Sequence, residues 1–370
     1  MQHNKILIVE IDSTLSYYEK IKNEILGDEF FYYQLGIAGD FNKIPAADKK
    51  IAVLSANYVT NCFEKIPPIN LSMFDLVIVF DQELLPEDNI EQYLIISRIQ
   101  FSNENVIIIT GAIKQNLTLT SDKIFIFPLF FLDAVYEYNT NTFRKLKPKL
   151  FDVLLGIRKD HRIWIFNALT KNNLIDKSYV SLTEFQNSSL ETIYYSPDLH
   201  ELENATAKLS MRRYGTFFSH EALLCHPRLP FIKYPISRQL PEKIYQNSYY
   251  SIIAETNYHS YIFFTEKTVK PLLAKRLFVM FSTYHHLKKL HEYGFKTFGS
   301  IIDESYDDEV NDYLRFEKAF EQIIKLSKMD PIEVYEKIGD VLEHNYKLIT
   351  NRELLMLPLK NYILSHINRI

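Results

Sequence analysis

Over roughly its first 150 residues the chain alternates short β-branched or aromatic runs with helix-length amphipathic stretches, and this rhythm is the signature of parallel βαβ units. The runs are KILIVE from Lys5, IAVLS from Ile51, DLVIVF from Asp75, NVIIIT from Asn105 and KIFIFP from Lys123. Between the third and fourth, Asn89 to Phe101 (NIEQYLIISRIQF) places apolar residues at helical spacing, so a helix is expected there. A doubly wound sheet follows, and such sheets take ligands at the carboxyl ends of their strands. The polar residues just past those ends, Asp12, Asp81, Gln82, Glu83 and Thr110, are therefore candidates for function.

A break in composition comes next. Thr142 to Lys149 (TFRKLKPK) is basic, contains Pro148 and lacks periodicity, so a linker is expected there, separating a domain of residues 1–149 from one of residues 150–350. The second domain restarts the rhythm: LFDVLLG from Leu150, a helix from about Lys159 to Lys171, a strand around Tyr179 to Leu182, and YYSIIAET from Tyr249. A helix near Thr265 to Lys275, the strand LFVMFS from Leu277, and the helix HHLKKLHEYG closed by Gly294 in a left-handed cap complete it. From about Asp307 three amphipathic helices are expected. The last runs from Asn351 to Ile370 with Pro358 inside, where a kink is expected.

With 42 Lys and Arg against 46 Asp and Glu, the net charge of −4 gives no dominant nucleic-acid footprint. Cys62 and Cys225 form no CxxC or paired spacing, which excludes disulfide scaffolds and zinc ribbons and makes a reduced, cytoplasmic setting the expectation. The N-terminus runs into a strand without the layout of a signal peptide. The longest apolar run, Ile124 to Leu132, holds nine residues and Pro128. A spanning helix needs about 20, so no membrane span is expected. Glycine is scarce at nine residues, whereas tyrosine (25) and phenylalanine (26) are abundant beside many Ile, Asn and Lys. That bias reads as AT-rich coding, as in some phages and low-GC bacteria.

Absent motifs narrow the chemistry. No GxG occurs, so the dinucleotide fingerprint and the Walker phosphate loop are both missing. No D-x-D occurs either, which removes a common device for holding a divalent cation against a diphosphate. G-x-S-x-G and HExxH are absent as well. His220, Cys225 and His226, and separately His285, His286 and His291, lack a second ligand pair at zinc spacing and read as ordinary histidines. The acidic run Asp303 to Glu309 (DESYDDE) lacks EF-hand spacing and reads as a solvated turn. No metal is expected, and a bound diphosphate must be neutralised by side-chain cations and backbone amides.

One constellation supplies that chemistry. In Tyr249 to Pro271 (YYSIIAETNYHSYIFFTEKTVKP) an apolar strand delivers Glu255 at its carboxyl end, and after a polar and aromatic loop Thr265 opens a helix as its N-cap. Glu266, Lys267 and Lys270 fall in the first two turns, beside free backbone amides that suit phosphate oxygens. Glu255 or Glu266 could accept hydrogen bonds from ribose or sugar hydroxyls. On physics alone the alternative is equally weighted: Glu266 complements the helix dipole and the lysines are solvated.

The segment resembles the donor-binding motif of the alpha-1,3-fucosyltransferase-like glycosyltransferases, in which a strand ending in an acid leads through a loop to a T-E-K helix start. Glu255 matches the acid, and Thr265, Glu266 and Lys267 match T-E-K. Upstream, Gly156 to Leu169 (GIRKDHRIWIFNAL) is similar to the stretch in which an arginine at a helix start meets the donor diphosphate; Arg162 takes that position and Arg158 adds a cation before it. Similar stretches occur in phage-encoded transferases that carry TEKTxKP followed by GFKTF and DESYD, here Gly294 to Phe298 and Asp303 to Asp307. The resemblance implies a GT-B fold of two facing Rossmann-like domains with parallel sheets, the C-terminal one holding the nucleotide sugar. It also implies a final helix, residues 351–370, that crosses back to the first domain.

The reaction implied is metal-independent transfer of a sugar from a nucleoside diphosphate sugar to an acceptor hydroxyl, of a glycan or similar, without a cofactor. The chain departs from the family at the base: ITGAIKQ from Ile109 has Ala112 where the catalytic glutamate would stand. Either another carboxylate serves, with Asp12 and Asp40 preferred over Asp81 and Glu83, or configuration is retained and no such base is needed. Tyr258, Tyr261 and Tyr306 are candidates for stacking on a base or sugar, with packing the commoner role. Two alternatives remain: a phage DNA glycosyltransferase acting on hydroxymethylated bases, with basic patches at Arg144 to Lys149 and Arg158 to Arg162, and an inactive GT-B sugar-binding or assembly module.

Overall fold

A computed structural model of the chain describes residues 6–10, 26, 30–34, 41–55, 69–70, 73–81, 99–100, 105–114, 124–131, 146–186, 189–196 and 240–370. The chain divides into two units, Met1–Leu132 with Asn351–Ile370, and Asp133–Thr350. The protein is α/β, with a largely parallel sheet in each unit.

The first unit is built on six parallel strands: β1 (Ile6–Glu10), β2 (Phe31–Gln34), β3 (Lys49–Ser55), β4 (Leu76–Asp81), β5 (Val106–Thr110) and β6 (Ile124–Ile126). They lie in the order β2-β1-β3-β4-β5-β6. Every residue of β5 is buried, as expected of a parallel strand covered on both faces. The five runs expected from the sequence are strands; β2 was not anticipated, because FYYQ is a four-residue edge strand too short to show a period. Of the helix expected over Asn89 to Phe101, the described residues Ile99 and Gln100 are instead a short strand paired with Ile69 and Asn70. Within the same unit, helix Arg352–Ile367 stacks Tyr362 on Phe125 at 4.5 Å, and the Arg352 guanidinium donates to the Phe131 carbonyl. Pro358 lies inside this helix without interrupting it.

The second unit carries β7 (Lys149–Ile157), α1 (Asp160–Lys171), β8 (Ser178–Gln186), β9 (Ser189–Tyr195), α2 (Glu242–Asn247), β10 (Ser248–Ala254), α3 (Glu266–Leu273), β11 (Phe278–Phe281), α4 (His286–Glu292), α5 (Asp312–Leu326) and α6 (Pro331–Thr350); the Arg352–Ile367 helix is α7. Its sheet runs β9-β8-β7-β10-β11, with β9 alone antiparallel. Strand β9 and the extension of β8 beyond Leu182 were not anticipated. The end of the expected linker already belongs to this unit: Lys149 opens β7, and the Lys147 ammonium donates to the carbonyls of Tyr245 (2.8 Å) and Ser248 (2.9 Å). Burial, with the Arg276 charge beside it, lowers the Lys147 pKa to about 7.

A buried ion pair crosses the centre of the sheet. Arg276, before β11, binds Asp152 of β7, and its Nε donates to Ser251 Oγ of β10 at 2.8 Å. Ser248 and Ser251 also donate to Asp152, at 2.9 and 3.1 Å, so the polar groups there are mutually satisfied. On α1 the buried stripe is His161, Arg162, Ile165 and Leu169. An apolar helix face thus begins with two cationic or titratable residues, and this turns its first turn inward, toward the ends of the strands.

Candidate functional site

The chain leaves β7 toward β8 on one side and later returns to β10 on the other, so the strand order reverses between β7 and β10. In open α/β sheets the crevice at such a reversal, beyond the carboxyl ends of the strands, is where ligands bind. Residue 157 closes one strand, with α1 beginning just past it; residue 254 closes the other, and a loop from Glu255 leads to Thr265 and the start of α3.

Glu255 is completely buried. Its Oε1 accepts from Thr265 N (3.1 Å) and Thr268 Oγ1 (2.6 Å), and its Oε2 from Thr265 Oγ1 (2.7 Å) and Thr256 N (3.0 Å). Four internal donors occupy this carboxylate, so it fastens the strand end to the start of α3 rather than facing a ligand hydroxyl. The role expected of it as a direct acceptor is revised on that ground. Thr265, itself buried, is the N-cap of α3 as expected, its hydroxyl accepting from Lys267 N at 3.2 Å.

The turn that Glu255 holds presents a cluster of charge. Lys267 Nζ donates to Glu266 (2.8 Å), Thr256 Oγ1 (3.2 Å) and Thr265 Oγ1 (3.3 Å). Glu266 and Lys267 are partly exposed, at 20% and 24% of their side-chain surface. Burial works to raise the Glu266 pKa, but Lys267 and Lys270 outweigh it and bring the carboxyl down to about 2. Lys270 goes down to about 8, because burial and the Lys267 charge disfavour its ammonium more than Glu266 supports it. The start of α3 therefore sets two lysines beside one partly exposed carboxylate.

From the β7 side, Gly156 adopts φ +67°, and a Cβ there would stand 3.6 Å from an Arg162 terminal nitrogen. Arg162 is 5% exposed; NH1 donates to the Ile157 carbonyl at 2.7 Å while Nε is buried without a partner. Burial lowers its pKa, against the opposing pull of Glu255 and Glu266. Lys159, the N-cap position of α1, sends its ammonium to the Thr256 carbonyl at 2.6 Å. Arg158 is turned aside into an exposed pair with Glu184 at 3.0 Å, and is not part of the cluster.

His161 sits among these cations. Its Nε2 lies 2.9 Å from the Glu255 carbonyl and must donate, which leaves Nδ1 a bare acceptor, buried and unpartnered. Burial first, then the charge of Arg162, with further contributions from Lys159 and Lys267, lowers the ring to about 3. Hydrogen bonds tie the group together: Lys159 and Lys267 both end on Thr256, and His161, next to Arg162, holds the carbonyl of Glu255, the residue before that threonine. His286 mirrors it behind α3: Nε2 stands 3.4 Å from Thr268 Oγ1, and burial lowers its pKa to about 4.

Sequence reading missed Lys159 and His161, which lie inside GIRKDHR, where only the arginines were weighed; His286 is the buried, ordinary histidine expected. The acidic run is solvated only in part: Asp303, Ser305 and Asp308 are exposed, but Glu304 accepts from Thr297 Oγ1 (2.6 Å) and Phe298 N (2.7 Å), and buried Asp307 caps α4 through Leu287 N (3.0 Å) and Lys288 N (2.9 Å). Burial raises the pKa of Asp307. Tyr306 is buried packing, whereas Tyr258 lies against His161 at 4.5 Å. Among the described residues no group of three or more His, Cys, Asp or Glu is placed to hold a metal, and no helix is long and apolar enough to cross a membrane. Asp12, Asp40, Glu83, Cys62, Cys225, His220, His226 and Arg144 lie outside the described residues. Ala112 is buried just past β5, its amide turned to Thr110 Oγ1 at 3.3 Å.

No protein-family model matches the chain, and no curated protein matches it. Among solved structures it is similar to one described as the crystal structure of an alpha1,3-fucosyltransferase, at 8% identity and a TM-score of 0.35, over 93% of this chain and 92% of that one.

Proposed function

We propose that the protein is a metal-independent glycosyltransferase that moves a sugar from a nucleoside diphosphate sugar to an acceptor hydroxyl. The observation that carries the reading is the meeting of Lys159 and Lys267 on Thr256 at the β7/β10 reversal, beside His161 on the Glu255 carbonyl and the buried, unpartnered Nε of Arg162. Such a cluster is organised before any ligand arrives, and a dianionic diphosphate is the charge that would relieve it. Lys267 and Arg162 stabilise the charge developing on the leaving diphosphate, a role in which losing one group costs about 2.7–4 kcal/mol of barrier. Glu266 is the acceptor for donor hydroxyls, and Glu255 and Thr265 hold the turn. Residues 150–350 serve as the donor-binding domain of a GT-B enzyme and residues 1–149 as the acceptor side, with a glycan or similar hydroxyl as acceptor.

The DNA-modifying alternative draws no support from the described part of its basic patches. Lys147 and Lys149 are spent on backbone carbonyls, Arg158 on Glu184, and Arg162 is buried. The test is a thermal-shift screen over nucleoside diphosphates and their sugars, with and without EDTA, since a ligand of the folded state alone raises the midpoint. A nucleoside diphosphate is expected to stabilise the wild type in both conditions and to lose that effect in a folded Lys267→Ala variant. A chain indifferent to the whole panel is not a transferase of this class; one that binds but never hydrolyses or transfers is the inactive module.

A further inference from the structure

We propose that Arg315, outside every motif considered above, is a positioning residue for the cationic cradle; the inference rests on the phosphate-binding reading of that cradle. Its guanidinium is 2% exposed and spends all five N–H donors. Nε donates to the Ser282 carbonyl past β11 at 2.8 Å. NH1 donates to the carbonyls of Glu309 (2.6 Å) and Val310 (3.3 Å), and NH2 to the Tyr258 carbonyl (2.6 Å) and the Asp312 carboxylate. A planar fork can reach acceptors on three separate segments at once, which a lysine ammonium on a single point cannot.

The segment that matters is the loop after β10. Tyr258 stands two residues past Thr256, whose carbonyl takes Lys159 and whose hydroxyl takes Lys267. The Tyr258 ring rests on His161 at 4.5 Å and on Phe316 at 5.7 Å. Helix α5, which carries Arg315, is itself fixed by Phe316 against Trp164 (5.7 Å) and Phe281 (5.8 Å). Arg315 therefore transmits the position of a packed helix to the loop on which both lysines converge.

The experiment uses inorganic pyrophosphate as the probe, titrated calorimetrically, with amide hydrogen exchange read in parallel. Arg315→Lys is expected to speed exchange in residues 256–260 while β10 and β11 stay protected, and to weaken pyrophosphate about tenfold. Asp312→Asn, which leaves the arginine in place and removes the charge that pairs with it, moves both readouts in the same direction by less and serves where Arg315→Lys folds poorly. In a Lys267→Met background the Arg315→Lys penalty is expected to shrink below about threefold, because that lysine is one of the two whose position the loop sets. Unchanged loop exchange, unchanged pyrophosphate affinity beside a binding wild type, or a penalty fully additive with Lys267→Met each overturns the inference alone. A wild type that binds no pyrophosphate overturns the cradle reading and the inference together.

Discussion

Lys159 and Lys267 reach the same residue from two directions: the first donates to the Thr256 carbonyl at 2.6 Å, the second to the Thr256 hydroxyl at 3.2 Å. One threonine thus spaces two cations that arrive from different helices. Thr256→Val keeps the carbonyl and the shape but releases Lys267. Nucleoside diphosphate affinity should fall by about 1.5 kcal/mol, the low end of the worth of one hydrogen bond to a charged group, with little change in melting temperature. Calorimetric titration of both proteins checks this.

Lys270 gives the site a pH dependence. Its pKa is lowered to about 8 by burial and by Lys267, so above that pH the cluster loses a positive charge. Affinity for a diphosphate is expected to hold below pH 7.5 and to decline through pH 8–9, with proton uptake on binding near the midpoint. Lys270→Met should flatten that decline. Titrations in buffers of different ionisation enthalpy measure the proton directly.

Glu255 is a stability residue first. Glu255→Gln turns an amide nitrogen toward donors that two oxygens now accept, and hydrogen bonds to a charged group are worth about 1.5–3 kcal/mol each. A loss of about 3 kcal/mol in urea denaturation is expected. Diphosphate binding should weaken only because the α3 start is displaced.

Acid should unfold the protein through its buried histidines. His161 and His286 have folded pKa values lowered to about 3 and about 4, against 6.5 when unfolded. Between those limits the unfolded chain holds more protons, so stability present above about pH 6.5 is lost as pH falls toward 4 and below. For His286, completely buried, the loss is on the order of 3 kcal/mol. His286→Phe should lower stability at neutral pH yet flatten the acid limb of the stability curve.

The Asp152–Arg276 pair separates fold from function. Asp152→Asn leaves a buried guanidinium uncompensated and should cost about 3–5 kcal/mol. Asp152→Leu with Arg276→Met should recover much of that. Neither partner lies in the cradle, so a double variant that folds should still bind pyrophosphate.

The strands of both units were legible because parallel strands buried on both faces read as continuous apolar runs, as VIIIT does in β5. Short edge strands such as FYYQ carry too few residues to show a period, and an antiparallel partner like β9 resembles any polar stretch with aromatics. At the site, T-E-K and the Thr265 cap were visible because capping is local. Glu255 looked like a ligand group because its four donors come from the residues that follow it in the fold, which spacing alone does not reveal. Lys159 and His161 were hidden by their neighbours: among several cations in one segment, only the fold shows that Arg158 pairs with Glu184, that Lys159 reaches the Thr256 carbonyl and that His161 is buried. Arg315 stood out little in the sequence, since four of its five acceptors are backbone carbonyls and the fifth, Asp312, is an ordinary partner three residues before it on the same helix.

The reversal between β7 and β10 leaves the two halves of the cradle as fixed words joined by an elastic sentence. Strands β8 and β9, which the chain visits between α1 and its return at β10, supply none of the cradle residues, so the distance between the two halves can drift from one descendant to another while the words stay put. A search for kin of this protein should therefore score G-I-R-K-D-H-R and E-T…T-E-K-T as separate anchors, each tight within itself, with no penalty on the distance between them.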